Sequence, residues 1–172
     1  MIVTLALRVL QMLFAAVVLA LSVILIKGYG PGHSWSLISY GSFCGGAAII
    51  IAAIGVAACF VEALQGMIML LLDGVASFFL LAGGIAYAAT IKVGSCSDFD
   101  GYVNLHNNPF GFSLYKYPRG LTIQKAIDDA TGRCRETQAS TAFLWLTAAC
   151  FVGTTALHFL SRKRGGGAAS YP

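Results

Sequence analysis

The sequence has few charged residues for its length. Only 10% of its 172 residues are charged, whereas soluble domains average about 25%. So small a charged fraction cannot cover a surface that faces water, and we expect the protein to face lipid. The net charge of +4 says little about an acidic partner, because three basic residues form one cluster. This cluster is interpreted as a basic anchor at the membrane surface and comprises Arg162, Lys163 and Arg164.

The sequence also lacks the patterns that mark common catalytic and metal sites. It contains no P-loop, no dinucleotide-binding fingerprint and no HExxH motif. No CxxC pair is present, and the histidines His33, His106 and His158 do not cluster with cysteines. We therefore expect a protein that is not an enzyme, has no metal or cofactor, and does not bind nucleic acid.

Long apolar runs are what the sequence does contain. A helix needs about 20 apolar residues to cross the hydrocarbon core of a bilayer, and four runs reach that length. The predicted helices cover residues 5–26, 38–61, 64–91 and 139–160. The expected fold class is all-α, an integral membrane four-helix bundle that occupies residues 1–164. Residues 165–172 are expected to form a disordered cytosolic tail.

The predicted connections differ in length. Helices two and three are separated by only a few residues around Glu62–Gln65, which indicates a tight hairpin. The connection from Lys92 to Gln138 is the larger loop and contains an aromatic stretch. After Pro118, apolar residues recur at helical spacing over Leu121–Ala130, which predicts a two-turn helix lying on the membrane surface. An irregular loop is the alternative.

Two cysteines bear on orientation. An even number of crossings places both termini on one side, and counting Lys and Arg alone would place the loops in the cytosol. Cys96 and Cys134, however, flank the larger loop outside the apolar runs. A disulfide between them would persist only in an oxidising compartment, so the loop would be extracytoplasmic and both termini cytosolic. Two unpaired thiols are the alternative.

Asp73 is an ionisable residue inside the third apolar run. A charge at the centre of a membrane helix costs about 2.5–3.5 kcal/mol on insertion scales, so the side chain should face the bundle. We expect it to pair with Arg8, with Gln11 as the second candidate partner, while Ser77 lies on the same helical face. The alternative is that Asp73 lies nearer the headgroups and meets water.

Small residues are frequent in the second and third runs. They allow helices to approach closely in lipid, and packing within the chain is the default interpretation. Self-association and docking of lipid tails are the alternatives. The candidate helix-packing residues are Gly41, Gly45, Gly55 and Gly84.

One stretch resembles a known family. Residues Gly132 to Trp145 read GRCRETQASTAFLW, and this stretch resembles the entry to the fourth helix in fungal MARVEL-domain proteins of the non-classical export protein family. Leu72 and Asp73, with the glycine-containing run that ends at Cys96, provide a second similarity. The layout of four crossings and a two-cysteine third loop agrees, although the loop here is longer.

The resemblance implies a MARVEL-like tetraspan protein of the plasma membrane. It implies a role as an organiser that shapes or marks lateral, eisosome-like and sphingolipid-linked domains by helix packing and lipid interaction. The implied partners are membrane lipids, among them sphingolipid or sterol, and other membrane-domain proteins or a second copy of the chain. The alternative function is a small membrane channel or transporter that uses Asp73.

Overall fold

In the computed structural model, residues 2–28, 36–60, 67–91, 96 and 123–165 are described. Over these residues the fold is all-helical, as the sequence predicts. Four helices are long and apolar enough to cross a membrane, with candidate spans at Ile2–Lys27, Ser36–Ala58, Met67–Ala89 and Thr131–Leu160. The helices are α1 (Ile2–Gly28), α2 (Ser36–Ala58), α3 (Met67–Ile91) and α4 (Ile123–Gly165).

The four helices pack in a ring. Closely packed pairs are α1 with α2, α2 with α3, α3 with α4, and α4 with α1. Helices α1 and α3 therefore lie diagonally opposite each other, as do α2 and α4. Successive helices run in opposite directions, so α3 ends beside the part of α4 that contains Cys134. Cys96 and Cys134 lie at this end, which we call the disulfide end.

The bundle is apolar on its outside. Large apolar side chains cover the outer surface; Leu71 is 70% exposed and Phe78 is 69% exposed. The interior holds small residues and a set of polar ones that includes Arg8 and Asp73. A soluble bundle has the opposite arrangement, with polar residues outside. The distribution agrees with four helices surrounded by lipid.

The core is organised in heptads. Positions seven residues apart on each helix are buried and stack into three layers, as in left-handed four-helix bundles. The layer farthest from the disulfide end, the ionic layer, contains Arg8, Gly55, Asp73 and Thr154. The middle layer contains Ala15, Ala48, Leu80 and Thr147. The layer nearest the disulfide end, the hydroxyl layer, contains Ser22, Gly41, Tyr87 and Ser140.

The fourth helix begins earlier than the sequence predicts. Helix α4 starts at Ile123 rather than near Ala139 and runs without interruption for 43 residues. From Ile123 onward, the segment predicted to be a separate surface helix is the beginning of α4. Hydropathy detects only the part of a helix that lies in lipid, whereas this helix continues through a charged segment. Gly132 is exposed and a single interior glycine costs only about 1 kcal/mol, so it does not end the helix.

Several other predictions fall on residues that are not described. The hairpin around Glu62–Gln65, the aromatic stretch of the larger loop and the tail after Gly165 lie outside the described residues. The basic cluster Arg162–Arg164 lies in the last turn of α4. The helix therefore extends through the predicted anchor instead of ending before it.

A buried ionic layer as the candidate functional site

Arg8 and Asp73 meet in the centre of the bundle. Nη1 of Arg8 donates to Oδ1 of Asp73 at 2.6 Å, and Nη2 donates to Oδ2 at 2.7 Å. The two side chains are 1% and 0% exposed. Because α1 and α3 lie diagonally opposite, this bidentate pair crosses the bundle from one helix to the other. The structure therefore brings together the two residues that the cost of a membrane-buried charge predicts to pair.

Gln11 extends the pair to a third helix. Nη1 of Arg8 also donates to Oε1 of Gln11 at 3.0 Å, and Nε2 of Gln11 donates to Oγ1 of Thr154 on α4 at 3.1 Å. Thr154 in turn donates to the carbonyl oxygen of Phe151 at 3.0 Å. The resulting chain of hydrogen bonds joins α1, α3 and α4. Gln11 is thus a bridge between Arg8 and α4, whereas the sequence offered it as an alternative partner of Asp73.

Gly55 on α2 makes room for the guanidinium group. A Cβ atom at this position would collide with Nε and Cζ of Arg8. Nε is buried and has no hydrogen-bond partner within the described part of the chain. A side chain at position 55 would therefore push the guanidinium away from Asp73. All four helices thus contribute to the ionic layer, α2 by the absence of a side chain.

Ser77 lies beside the ionic layer without joining its charges. Its hydroxyl donates to the carbonyl oxygen of Asp73 at 2.7 Å, one turn back on the same helix. Serine and threonine hydroxyls commonly bond to their own helix in this way. The Ser77 hydroxyl is therefore used within α3, although the two residues share a helical face.

The predicted helix-packing glycines lie inside the bundle. A Cβ atom at Gly45 would lie 2.8 Å from the backbone nitrogen of Leu19, so α1 and α2 touch through their backbones there. Gly41 faces the Ser22 and Tyr87 hydroxyls, and Gly84 faces the ring of Trp145. These glycines are therefore used for packing within the chain.

The ionic layer is closed, and its charges are matched. Both Nη atoms of Arg8 and both carboxylate oxygens of Asp73 form hydrogen bonds, and neither residue reaches solvent. Within the described residues, no group of three potential metal ligands occurs. The arrangement can hold helices in one register, because a mismatched register would leave a charge buried without its partner.

Cys96 and Cys134 form a disulfide at the other end of the bundle. Cys134 is buried in α4, eleven residues after the helix begins at Ile123, and Cys96 follows the end of α3. The bond therefore ties the end of α3 to a point inside α4, across a sequence separation of 38 residues. Within the described residues, Cys44, Cys59 and Cys150 are free.

Breaking this disulfide is expected to lower stability. In the chain-entropy model a ring of this size contributes about 4 kcal/mol, so Cys134→Ser should lower the thermal midpoint of the protein in nanodiscs. The matched control is Cys150→Ser, which removes a free thiol from the same helix and should have a small effect. Alkylation of both Cys96 and Cys134 without reductant, followed by mass mapping, would contradict the disulfide.

Thr154 and the grouping of residues into the hydroxyl layer were not predicted from the sequence, although Gly41 was a candidate packing residue. Asp73 was identified because it is a charge within an apolar run. Thr154 and the residues of the hydroxyl layer are uncharged, so they lack this signal. A second signal was present, because the ionic-layer residue on each helix has a small or hydroxyl-bearing counterpart two heptads away. The four pairs are Arg8 with Ser22, Gly55 with Gly41, Asp73 with Tyr87, and Thr154 with Ser140.

The comparison with protein families agrees with this architecture. The profile of the MARVEL family, described as a membrane-associating domain, matches residues 2–157. No curated protein and no solved structure matches the chain. The matched region includes most of the four helices and every residue of the three buried layers. A membrane tetraspan bundle and a family match over most of the chain lead to one conclusion: the protein belongs to the MARVEL family of membrane-associating domains.

Proposed function

We propose that this protein organises lateral domains of the plasma membrane and acts without catalysis or a cofactor. The proposed domains are eisosome-like and linked to sphingolipids, as the resemblance to fungal non-classical export proteins implies. The protein would act by packing against lipids and neighbouring membrane proteins. Membership of a membrane-associating family supports contact with lipid.

One observation carries this proposal. Among the described residues, Arg8 and Asp73 are the buried charged ones, and they bind each other inside the bundle. The outer surface of the bundle is covered by apolar side chains. Within the bilayer, such a bundle presents mainly apolar surface to its surroundings. Lipid tails and the apolar surfaces of other membrane proteins are the partners that fit it.

The middle layer argues against the channel alternative. Ala15, Ala48 and Leu80 are buried between the ionic layer and the hydroxyl layer. The fourth member, Thr147, donates to the carbonyl oxygen of Phe143 at 2.6 Å, so its hydroxyl is already used within α4. A continuous polar path along the bundle axis would have to cross this layer. Asp73 therefore lies on one side of an apolar barrier and is fully paired.

The proposed orientation places both ends of the chain in the cytosol. The Cys96–Cys134 bond supports this arrangement, since disulfides persist in oxidising compartments. The basic cluster at Arg162–Arg164 would then lie at the cytosolic leaflet, where anionic lipids attract basic residues. Counting Lys and Arg on the two sides favours the reverse orientation, so the proposal rests on the disulfide.

Lateral association is part of the proposed mechanism. Gly41, Gly45 and Gly55 face the interior of the bundle and pack against α1 or its side chains. These glycines therefore allow close packing between helices of the same chain. Association with other membrane-domain proteins, or with a second copy of the chain, would use the outer apolar surface.

The proposal predicts a patchy distribution in cells. A fluorescent fusion of the full chain should concentrate in plasma-membrane patches, and inhibition of sphingolipid synthesis should disperse them. Gly46→Ala is the matched control and should retain the patches, because a Cβ atom there meets nothing within 4 Å. A uniform distribution both before and after inhibition would contradict the proposed role.

A flux assay separates the organiser from the channel. Purified protein in liposomes should give no ion or small-solute flux above that of empty liposomes. Flux that requires the protein and disappears in Asp73→Asn would overturn the organiser as a complete account of function. The same variant should be checked for thermal stability, so that loss of flux is not confused with loss of the fold.

A further inference from the structure

Three buried hydroxyl groups have no hydrogen-bond partner in the described part of the chain. They belong to Ser22, Tyr87 and Ser140, and each residue is 0% exposed. Buried polar groups in native proteins are almost always hydrogen-bonded, and exceptions point to strain, to chemistry or to a bound water or ion. All three belong to the hydroxyl layer.

The other buried hydroxyls of the bundle behave differently. Each of them donates to a carbonyl oxygen of its own helix at 2.6–3.0 Å. They belong to Ser77, Thr137, Thr141, Thr147 and Thr154. A helical serine can form this bond by rotating about one torsion. Ser22 and Ser140 do not use it, so their hydroxyls are left available to a partner outside their own helices.

The three hydroxyls share one depth in the bundle. A Cβ atom at Gly41 would touch the Tyr87 hydroxyl and lie 2.9 Å from Oγ of Ser22, so both point at the same glycine. On α4, Trp145 packs against Gly84 of α3. Tyr87 lies three residues beyond Gly84 and Ser140 lies five residues before Trp145, so in antiparallel helices Ser140 lies within about one turn of the level of Tyr87.

The hydroxyl layer is enclosed on both sides along the bundle axis. Toward the disulfide end, Leu25 and Ile38 are buried and pack together. In the other direction lie the apolar residues of the middle layer. The layer contains no charged residue, so it would suit a neutral ligand better than an ion. The absence of a side chain at Gly41 lets the Tyr87 and Ser22 hydroxyls lie against α2, because a Cβ atom there would collide with the Tyr87 hydroxyl.

We propose that the hydroxyl layer binds an internal water molecule that bridges Ser22, Tyr87 and Ser140. A buried water typically forms about three hydrogen bonds to groups that otherwise lack partners, and three hydroxyls can supply them. Each hydroxyl can donate or accept, so one water can complete the set. The water would join α1, α3 and α4, the same three helices that the hydrogen bonds of the ionic layer join. This site is independent of the proposed function, because it concerns the interior and not the lateral surface.

Radiolytic labelling tests for the water directly. X-ray radiolysis of the full chain in nanodiscs generates hydroxyl radicals from bound water, and mass spectrometry locates the oxidised side chains. Tyr87 should be oxidised several-fold faster than Phe151, an aromatic residue that is equally buried but lies away from the hydroxyl layer. Labelling of Tyr87 at the rate of Phe151 would overturn the proposal.

Thermal stability separates the bridging water from a direct bond between hydroxyls. If water bridges the three groups, Tyr87→Phe and Ser140→Ala should each lower the midpoint by about 2–4 °C, and the double variant should lose less than their sum. Ser77→Ala is the matched control and should not couple to Tyr87→Phe. Neutral or stabilising effects of the single variants would show that the hydroxyls have no ligand. Coupling of Tyr87 to Ser22 alone, with Ser140→Ala neutral, would mean a direct bond, and either result overturns the proposal.

Discussion

Replacing Asp73 with alanine is expected to destabilise the bundle by about 3–5 kcal/mol, the range measured when one partner of a buried ion pair is removed. The loss arises because Arg8 remains buried in a site that has lost its counter-charge. Two of its hydrogen bonds, at 2.6 and 2.7 Å, would disappear together. Thermal unfolding in nanodiscs, followed by circular dichroism, would measure the loss.

A double variant shows which part of this loss comes from the unpaired charge. In Arg8→Met with Asp73→Leu, no charge remains in the layer, and apolar replacement of a buried pair is often neutral or even stabilising. We expect the double variant to recover most of the stability lost in Asp73→Ala. If the double variant is as unstable as the single one, the lost stability comes from the attraction between Arg8 and Asp73. The penalty of an unpaired buried charge would then not explain it.

The second large effect is expected at Gly45. Its position against the backbone of Leu19 and Ala15 leaves no room for a methyl group, since the nearest backbone atoms would lie 2.8 and 3.1 Å from a Cβ atom. Backbone atoms cannot rotate away as a side chain can. Gly45→Ala should therefore force α1 and α2 apart and cost about 1–3 kcal/mol, the range for overpacking. Larger residues such as valine should cost more.

The neighbouring glycine is a matched control. A Cβ atom at Gly46 would meet nothing within 4 Å, and alanine is a better helix former than glycine by about 1 kcal/mol. Gly46→Ala should therefore be neutral or slightly stabilising, although the two variants differ by one position on the same helix. Equal effects at both sites, measured by thermal unfolding, would mean that close contact between α1 and α2 does not contribute to stability.

Much of the fold could be predicted from the sequence because lipid imposes simple requirements. Four apolar runs of sufficient length predict four crossings, and the match to the family agrees with them. The meeting of Arg8 with Asp73 follows from the cost of leaving either charge alone in lipid. Both inferences depend on whether a residue is apolar or charged and on its place along the chain. The sequence shows both directly.

The start of α4 and the hydroxyl layer depend on other physics. Hydropathy cannot show that a helix continues beyond the lipid. It therefore predicts the turns from Ile123 to Ala130 as a separate helix and not as part of α4. The pairing of Gln11 with Thr154 depends on the register between two helices, which hydropathy does not contain. The seven-residue spacing identifies the face of each helix that points into the core, but it does not show which residues of two helices lie level.

The length of α4 determines how the segment between α3 and α4 is attached. The helix extends about 16 Å from Cys134 to Ile123, at 1.5 Å per residue. Cys96 is held next to Cys134 by the disulfide, so Cys96 and Ile123, the described residues on either side of residues 97–122, are attached at two different levels of α4. The two attachment points are therefore kept apart by a rigid spacer. Deleting two turns of α4 before Cys134 would move these points closer together by about 11 Å while leaving the three buried layers intact.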